Sequence, residues 1–336
     1  MAGIGWGEIT TEEKRRVEKC FPVSLIKDLI RYDNGFVMPR SYPENLEKKI
    51  LDFDLREDDI WIVTYPKCGT TWTQELVWML VNDVNIEAGM CPLPFRSPMI
   101  EAPCVINSAF MRSLGLTPPS MEGVEGHPLD DPIEYLNDMK GRRVIKTHIP
   151  LEFLPPMLLD TCKVVYVARN PKDCAVSFYH HNLLMPGHGY VGSFEQFMEF
   201  FKEGLHVFGS YWHHILGGWK NRDHKNLKFM WFEDMKKDQK GVIKELCDFL
   251  DHPLSEDLMD RLCDHVKFEN MKKNPHANPS GALHLLGNKD KSFMRKGEVG
   301  DWKNFFDDER NSTWNRWIKQ NIEGTGLEQV EYLKFL

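Results

Sequence analysis

The sequence predicts a single α/β domain, with a central parallel sheet and helices on both faces. Three observations carry that expectation. Apolar runs of strand length alternate with longer segments of helical period, the pattern of a parallel sheet covered by helices. One such run passes directly into a tight turn and a helix start, over residues 60–72. No internal repeat or low-complexity tract interrupts the 336 residues, a length that allows one large α/β domain.

The elements follow in order. Ile60 to Tyr65 (IWIVTY) is a buried-strand run, and Arg143 to Thr147, Lys163 to Ala168 and Leu227 to Trp231 are three more. Thr70 to Asp83 carries Trp72, Leu76, Met79 and Leu80 on one side of a helix, with Thr71 and Gln74 at capping-box spacing for its start. Asn170 and Pro171 form an N-cap and first-turn pair for a helix running through Ala175, Val176 and Tyr179. Val242, Ile243, Leu246, Phe249 and Leu250 share one helical face that ends at His252-Pro253, and Leu258, Met259, Leu262 and Val266 share the next. Glu309 to Ile322 is the last long helix. Between Ala88 and Lys140 the pattern changes to crowded prolines, several glycines and scattered Phe and Met, which reads as a functional loop or lid rather than a second domain.

Composition narrows the function. Hydrophobic residues are 42% of the chain and charged residues 27%, which excludes wholesale disorder and a fibrous repeat. Forty-two Lys and Arg against fifty Asp and Glu leave a net charge of −8, so neither nucleic acid nor an anionic membrane is an expected partner. Any anionic ligand must meet a local cluster of bases. The amino terminus lacks the apolar stretch of a secretory signal, and the densest apolar run, Leu76 to Val81, is too short to span a bilayer. A cytoplasmic location is the expectation. The eight cysteines are scattered, with no Cys-x-x-Cys and no neighbouring His at zinc-ligand spacing, and read as free thiols with no metal site. The sequon at Asn311-Ser312-Thr313 reads as a chance match.

Four segments carry chemistry. First, the strand ending at Tyr65 runs into Pro66-Lys67-Cys68-Gly69-Thr70-Thr71-Trp72 and then a helix, which aims backbone N–H groups and a helix dipole at one point suited to a phosphate. Lys67 adds a base within the turn. The order is not Walker A, because no G-x-x-x-x-G-K-[ST] occurs, so a nucleoside triphosphate hydrolase is disfavoured and metal dependence is not expected. Second, Arg169 ends a strand and Ser177 lies two turns into the following helix, where both can close on a second phosphate. Third, Phe293-Met294-Arg295-Lys296-Gly297 and the glycine at 300 make a basic loop whose backbone can approach an anion. Fourth, Lys146-Thr147-His148 ends a strand with a candidate general base beside a cation. The other twelve histidines, including His180, His181, His213 and His214, read as structural.

Together these segments resemble one family, the cytosolic sulfotransferases, which move a sulfuryl group from 3′-phosphoadenosine-5′-phosphosulfate (PAPS) to a small acceptor and release the bisphosphate PAP. Tyr65 to Trp72 resembles the family's P-loop-like phosphosulfate turn, and Arg295 through Asn304 its carboxyl-terminal signature, with matching order from about residue 59 to residue 317. The resemblance implies that Lys67, Gly69, Thr70, Thr71 and Trp72 hold the 5′-phosphosulfate, with a backbone contact from Cys68 where many members have Ser. It implies that Arg169, Ser177, Arg295, Lys296 and Gly297, with Phe293 and Met294 beside them, form the 3′-phosphate site. His148 matches the family's catalytic base, and Lys146 and Lys67 would steady the sulfuryl oxygens and leaving phosphate. Phe232 stands where a Tyr usually holds the adenine, and Val266-Lys267-Phe268 replaces a hydroxyl pair, leaving Phe268 to stack. The family's dimer motif fails after Lys303, so a monomer and a homodimer both stay open. The stretch from Ala88 to Lys140 is expected to cover the acceptor pocket, with Phe95, Met99, Phe110 and Met111 as lining. Long inserts there also occur in an insect retinol-dehydrating relative, which points to a larger apolar alcohol. A retinol-dehydratase-like reaction and an inactive nucleotide-binding protein are the alternatives.

Overall fold

The computed structural model describes residues 4–22, 28–106, 108, 127–185, 187–280, 283 and 292–334. A small antiparallel sheet, unannounced by the sequence pattern, comes first: β1 (Trp6–Glu8), β2 (Leu29–Tyr32) and β3 (Val37–Pro39), paired in the order β1-β2-β3. Strands of three or four residues are too short to display an alternation of period two.

The four predicted strands form the central sheet. They are β4 (Ile60–Thr64), β5 (Val144–Thr147), β6 (Lys163–Ala168) and β7 (Leu227–Trp231), all parallel and ordered β5-β4-β6-β7. Both faces are covered. Trp61 and Val63 of β4 join Val164, Tyr166 and Ala168 of β6 in one core cluster, whereas Ile60, Ile62, Val165 and Val167 belong to the other. Successive side chains point to opposite faces of a strand, so a sheet with two helical layers needs a continuous apolar run.

The predicted helices are present as Thr70–Val81, Pro171–Leu184, Gln239–Phe249, Glu256–His265 and Asp308–Ile322. The Asn170 cap forms as expected, its side chain accepting from the N–H groups of Lys172 (2.9 Å) and Asp173 (3.5 Å). The Thr71–Gln74 capping box does not. Gly69 is the N-cap, in the left-handed region at φ 100°, and Gln74 instead donates to the carbonyl (2.9 Å) and hydroxyl (3.1 Å) of Ser97. A buried amide that finds two acceptors on a neighbouring loop has no reason to fold back on its own helix. Within 88–140 the described residues form short helices, among them Leu93–Arg96, Ala102–Val105 and Pro132–Asp138. Phe110 and Met111 lie outside the described residues. None of the eight cysteines is paired in a disulfide bond. Among the described residues no helix is long and apolar enough to cross a membrane.

A buried ion pair clamps the amino-terminal ends of β4 and β5. Arg143 donates through Nε to Asp59 Oδ1 (2.6 Å) and through Nη2 to Asp59 Oδ2 (2.5 Å), while the backbone N–H of Ile60 donates to the carbonyl of Arg143 (2.9 Å). Two further carbonyls, of Leu136 and Asp54, accept from the same guanidinium, and both charged side chains are fully buried. Removing one partner strands the other charge. Arg143→Leu is therefore expected to lower unfolding free energy by about 3–5 kcal/mol, and a urea titration matching that of the parent chain would contradict the clamp.

Candidate active site

Pairing register assembles the site. Val63 of β4 lies opposite Thr147 of β5, and Thr64 lies opposite Val167 of β6, so the three strands end almost level. The residues that follow them, Tyr65 to Thr71, His148 and Arg169, gather at the carboxyl edge where open α/β sheets take their ligands. Lys67 (φ 69°) and Gly69 (φ 100°) make the turn tight. A Cβ on Gly69 would meet the Phe232 ring at 2.7 Å, so glycine serves both the backbone conformation and the packing.

One cavity of about 610 Å³ collects the candidates. Its walls include Lys67, Gly69, Thr70, Thr71, Trp72, Phe95, Lys146, His148, Arg169, Ser177, Phe232 and Phe268, and the loop from Phe293 to Gly297. Cys68 stands apart. Its thiol lies 3.8 Å from that of Cys174 in the core and its N–H donates to the Tyr65 carbonyl (3.3 Å), so neither group opens on the cavity.

His148 is oriented by the strand beside it. Its Nδ1 lies 2.8 Å from the carbonyl oxygen of Thr64, an atom that only accepts, so the proton sits on Nδ1 and Nε2 keeps its lone pair. Burial, and then the charge of Lys146, hold the imidazole well below its ordinary pKa. The backbone N–H of His148 donates to Glu101 Oε1 at 2.7 Å. Glu101 is a buried carboxyl that the sequence reading did not single out, and burial pushes it up to about 7 despite that hydrogen bond and the nearby Lys146.

The basic groups are held by acids and aromatic faces. Lys67 Nζ sits 3.5 Å from His181 Nδ1 and 4.6 Å over the Phe293 ring. Burial first, then repulsion from Lys146 and Arg169, brings its pKa down to about 7. Burial also lowers Lys146, partly offset by Glu101. Arg169 stacks on Phe232 at 4.3 Å and donates to the carbonyls of Lys67 (3.2 Å) and Glu298 (2.9 Å), and its buried Nε has no hydrogen-bond partner among the described residues. Arg295 and Lys296 both pair with Asp301; burial would raise that carboxyl, but their hydrogen bonds outweigh it and bring it down to about 2. Asp173 fixes this loop to the Pro171–Leu184 helix, accepting from the N–H groups of Gly300 (2.6 Å) and Trp302 (3.0 Å). Gly297, at φ 64°, packs where a Cβ would lie 2.3 Å from the Phe268 ring. Trp72, Phe232 and Phe268 thus wall one end of the cavity. The arrangement fits a nucleotide with two separate anionic groups.

Asp173, Asp301 and Glu101 were not picked out from the sequence, because each acts through partners far along the chain. Of the remaining histidines, read from the sequence as structural, His181, His188, His206 and His276 line the cavity. The four-residue step from Ser177 to His181 is the one signal that could have found His181. Among the described residues no group of three or more His, Cys, Asp or Glu could hold a metal ion.

Comparison with known proteins identifies the family. The family model described as "Sulfotransferase domain" matches residues 57–326. Luciferin sulfotransferase of Photinus pyralis is 38% identical over 290 residues, 84% of this chain and 76% of that protein. Sulfotransferase 1B1 of Mus musculus is 35% identical over 91% of this chain and 97% of its own. Among solved structures, retinol dehydratase in complex with androsterone and inactive cofactor PAP superimposes with a TM-score of 0.85 at 30% identity, covering 95% of this chain and 96% of that one. Fold and family match define a transferase whose cavity lies at the carboxyl edge of a parallel sheet. The chain belongs to the cytosolic sulfotransferase family: it takes PAPS as co-substrate, transfers its sulfuryl group to a small molecule and releases PAP.

The lowered pKa of Lys67 predicts pH-dependent binding of an anionic ligand. An anion in the cavity favours the charged amine and raises its pKa above about 7, so binding takes up a proton above that value. PAP affinity is expected to fall as pH rises from about 7 to about 9, by at most about tenfold per unit. Calorimetry across that range should show the slope, and Lys67→Met should flatten it.

Proposed function

We propose that His148 is the general base in an in-line transfer from PAPS to a hydroxyl or amine of a small, mainly apolar acceptor, within one domain that spans the whole chain and works in the cytoplasm. The observation that carries this reading is the 2.8 Å hydrogen bond from His148 Nδ1–H to the Thr64 carbonyl, which leaves Nε2 free to accept a proton in a cavity shared with Lys67. The acceptor proton passes to Nε2 as the acceptor oxygen bonds to sulfur, and the sulfur–oxygen bond to the nucleotide breaks on the opposite side. Charge then builds on the departing phosphate oxygen. Lys67 faces that oxygen and Lys146 faces the sulfuryl group, each fixed cation stabilising the transition state more than the ground state.

In this reading Lys67, Gly69, Thr70, Thr71 and Trp72 bind the 5′-phosphosulfate. Arg169, Ser177, Arg295, Lys296 and Gly297 bind the 3′-phosphate, while Trp72, Phe232 and Phe268 flank the adenine. Phe95, Met99 and Phe208 supply apolar wall to the cavity, with Phe208 packed 5.3 Å from the imidazole. A second reading, in which the sulfated product goes on to lose its sulfate with elimination, draws on the likeness to retinol dehydratase. Mass analysis of the product formed from retinol separates the two.

His148→Ala is expected to reduce turnover of labelled PAPS, across a panel of phenols, steroids and alcohols, by about 10²–10⁴, with PAP affinity nearly unchanged. Near-normal turnover would remove His148 from the role. Arg295→Ala is expected to do the opposite, raising the Kd for PAP about tenfold or more through loss of a charge-assisted contact, a change that calorimetry reads directly.

A further inference from the structure

We propose that His181 and His188 form a second recognition point in the cavity they share with His148, a hydrogen-bond donor beside an acceptor that takes a second hydroxyl of the substrate, so that dihydroxy compounds are preferred over their monohydroxy counterparts. The inference deepens the proposed function and rests on it, because it presumes that the first hydroxyl sits at His148.

His181 lies on the Pro171–Leu184 helix four residues beyond Ser177, and so on the same face, one turn farther along. The chain then turns, with the His188 N–H donating to the Met185 carbonyl (3.0 Å), and brings the His188 ring to 5.3 Å from that of His181 at an interplanar angle of 78°. Both imidazoles line the cavity, near Phe178, Met185 and Phe293.

Their proton positions follow from their neighbours. Asn182 donates through Nδ2 to the Phe178 carbonyl (2.9 Å), which leaves its Oδ1 facing His188 Nδ1 at 3.0 Å. An amide oxygen only accepts, so His188 carries its proton on Nδ1 and offers a lone pair at Nε2. His181 Nδ1 faces the Lys67 amine, a donor when charged, so its own proton sits on Nε2. Burial, with Lys67 next for both, holds each ring neutral, His181 well below its ordinary value and His188 at about 4. Neither Nε2 has a hydrogen-bond partner among the described residues.

The chemistry of the occupant follows by elimination. A hydroxyl donates and accepts, and so matches one nitrogen of each kind. A carbonyl or carboxylate satisfies His181 and leaves the His188 lone pair facing another acceptor. An ammonium meets the charges of Lys67 and Lys146. An apolar group leaves both nitrogens unpaired in a desolvated wall, the situation in which an enzyme discriminates most strongly against a missing hydroxyl.

The experiment compares 2-naphthol with the dihydroxynaphthalene isomers, using the full chain and PAPS in steady state. At least one isomer is expected to exceed 2-naphthol in kcat/KM by about tenfold, mainly through KM. His188→Leu is expected to bring that ratio near one, whereas His188→Gln, which keeps an acceptor oxygen, retains part of it. Overturning results are a parent enzyme with no preference for any isomer, or a preference that survives both His188→Leu and His181→Phe. Absence of sulfated product from every naphthol would overturn the proposed reaction itself, while turnover of 2-naphthol without preference overturns only the second recognition point.

Discussion

Parallel pairing of β4 with β5 and β6 is the constraint on which the site depends. Because Val63 lies opposite Thr147, the residue after each strand is carried to the same level, and His148 meets the carbonyl of Thr64. A strand shifted by one residue would turn its side chains to the other face and break this contact. The buried Arg143–Asp59 pair sits at the opposite end of the same two strands, where an error of register would separate its partners. Helix formation around the sheet then supplies the turns, but the strands decide where those turns meet.

The second constraint is electrostatic. A protein of net charge −8 gathers Lys67, Lys146, Arg169, Arg295 and Lys296 around one cavity, and each needs a local counterweight. Asp301 serves the two bases of the carboxyl-terminal loop, Glu101 faces Lys146, and the ring of Phe293 lies under Lys67. Phe232 and two backbone carbonyls receive Arg169. Positive charge is thus concentrated where an anionic donor enters while the rest of the molecule stays acidic. Desolvation of Lys67 and Lys146 raises the worth of any negative group that joins them, because burial has already removed much of the competing water.

Much of this was legible in the chain. The four central strands, the Asn170 cap and the basic turns were read from short segments whose residue types carry their own geometry. The small amino-terminal sheet was not, since three-residue strands leave no periodicity to read. The expected Thr71–Gln74 box failed for a related reason: Gln74 found partners on Ser97, twenty-three residues away, that no local pattern encodes. Cys68 was expected to offer its backbone N–H to the donor, yet that group is spent on Tyr65 within the turn. His181 and His188 looked like ordinary core histidines because the edge contact between their rings and their place in the cavity wall arise only in the folded chain.

What the amino-acid order determined by itself is therefore local: buried apolar runs, helix starts, glycines where the backbone must turn left-handed, and bases adjacent to those turns. These properties depend on neighbours within a few residues, and steric and hydrogen-bonding rules act at that range. The folded chain alone decided which base stands beside which acid, which imidazole nitrogen holds the proton, and that Asp173 ties the loop at Gly300 to a helix more than a hundred residues earlier. Such choices arise from desolvation and from partners that meet only when the sheet has closed its register.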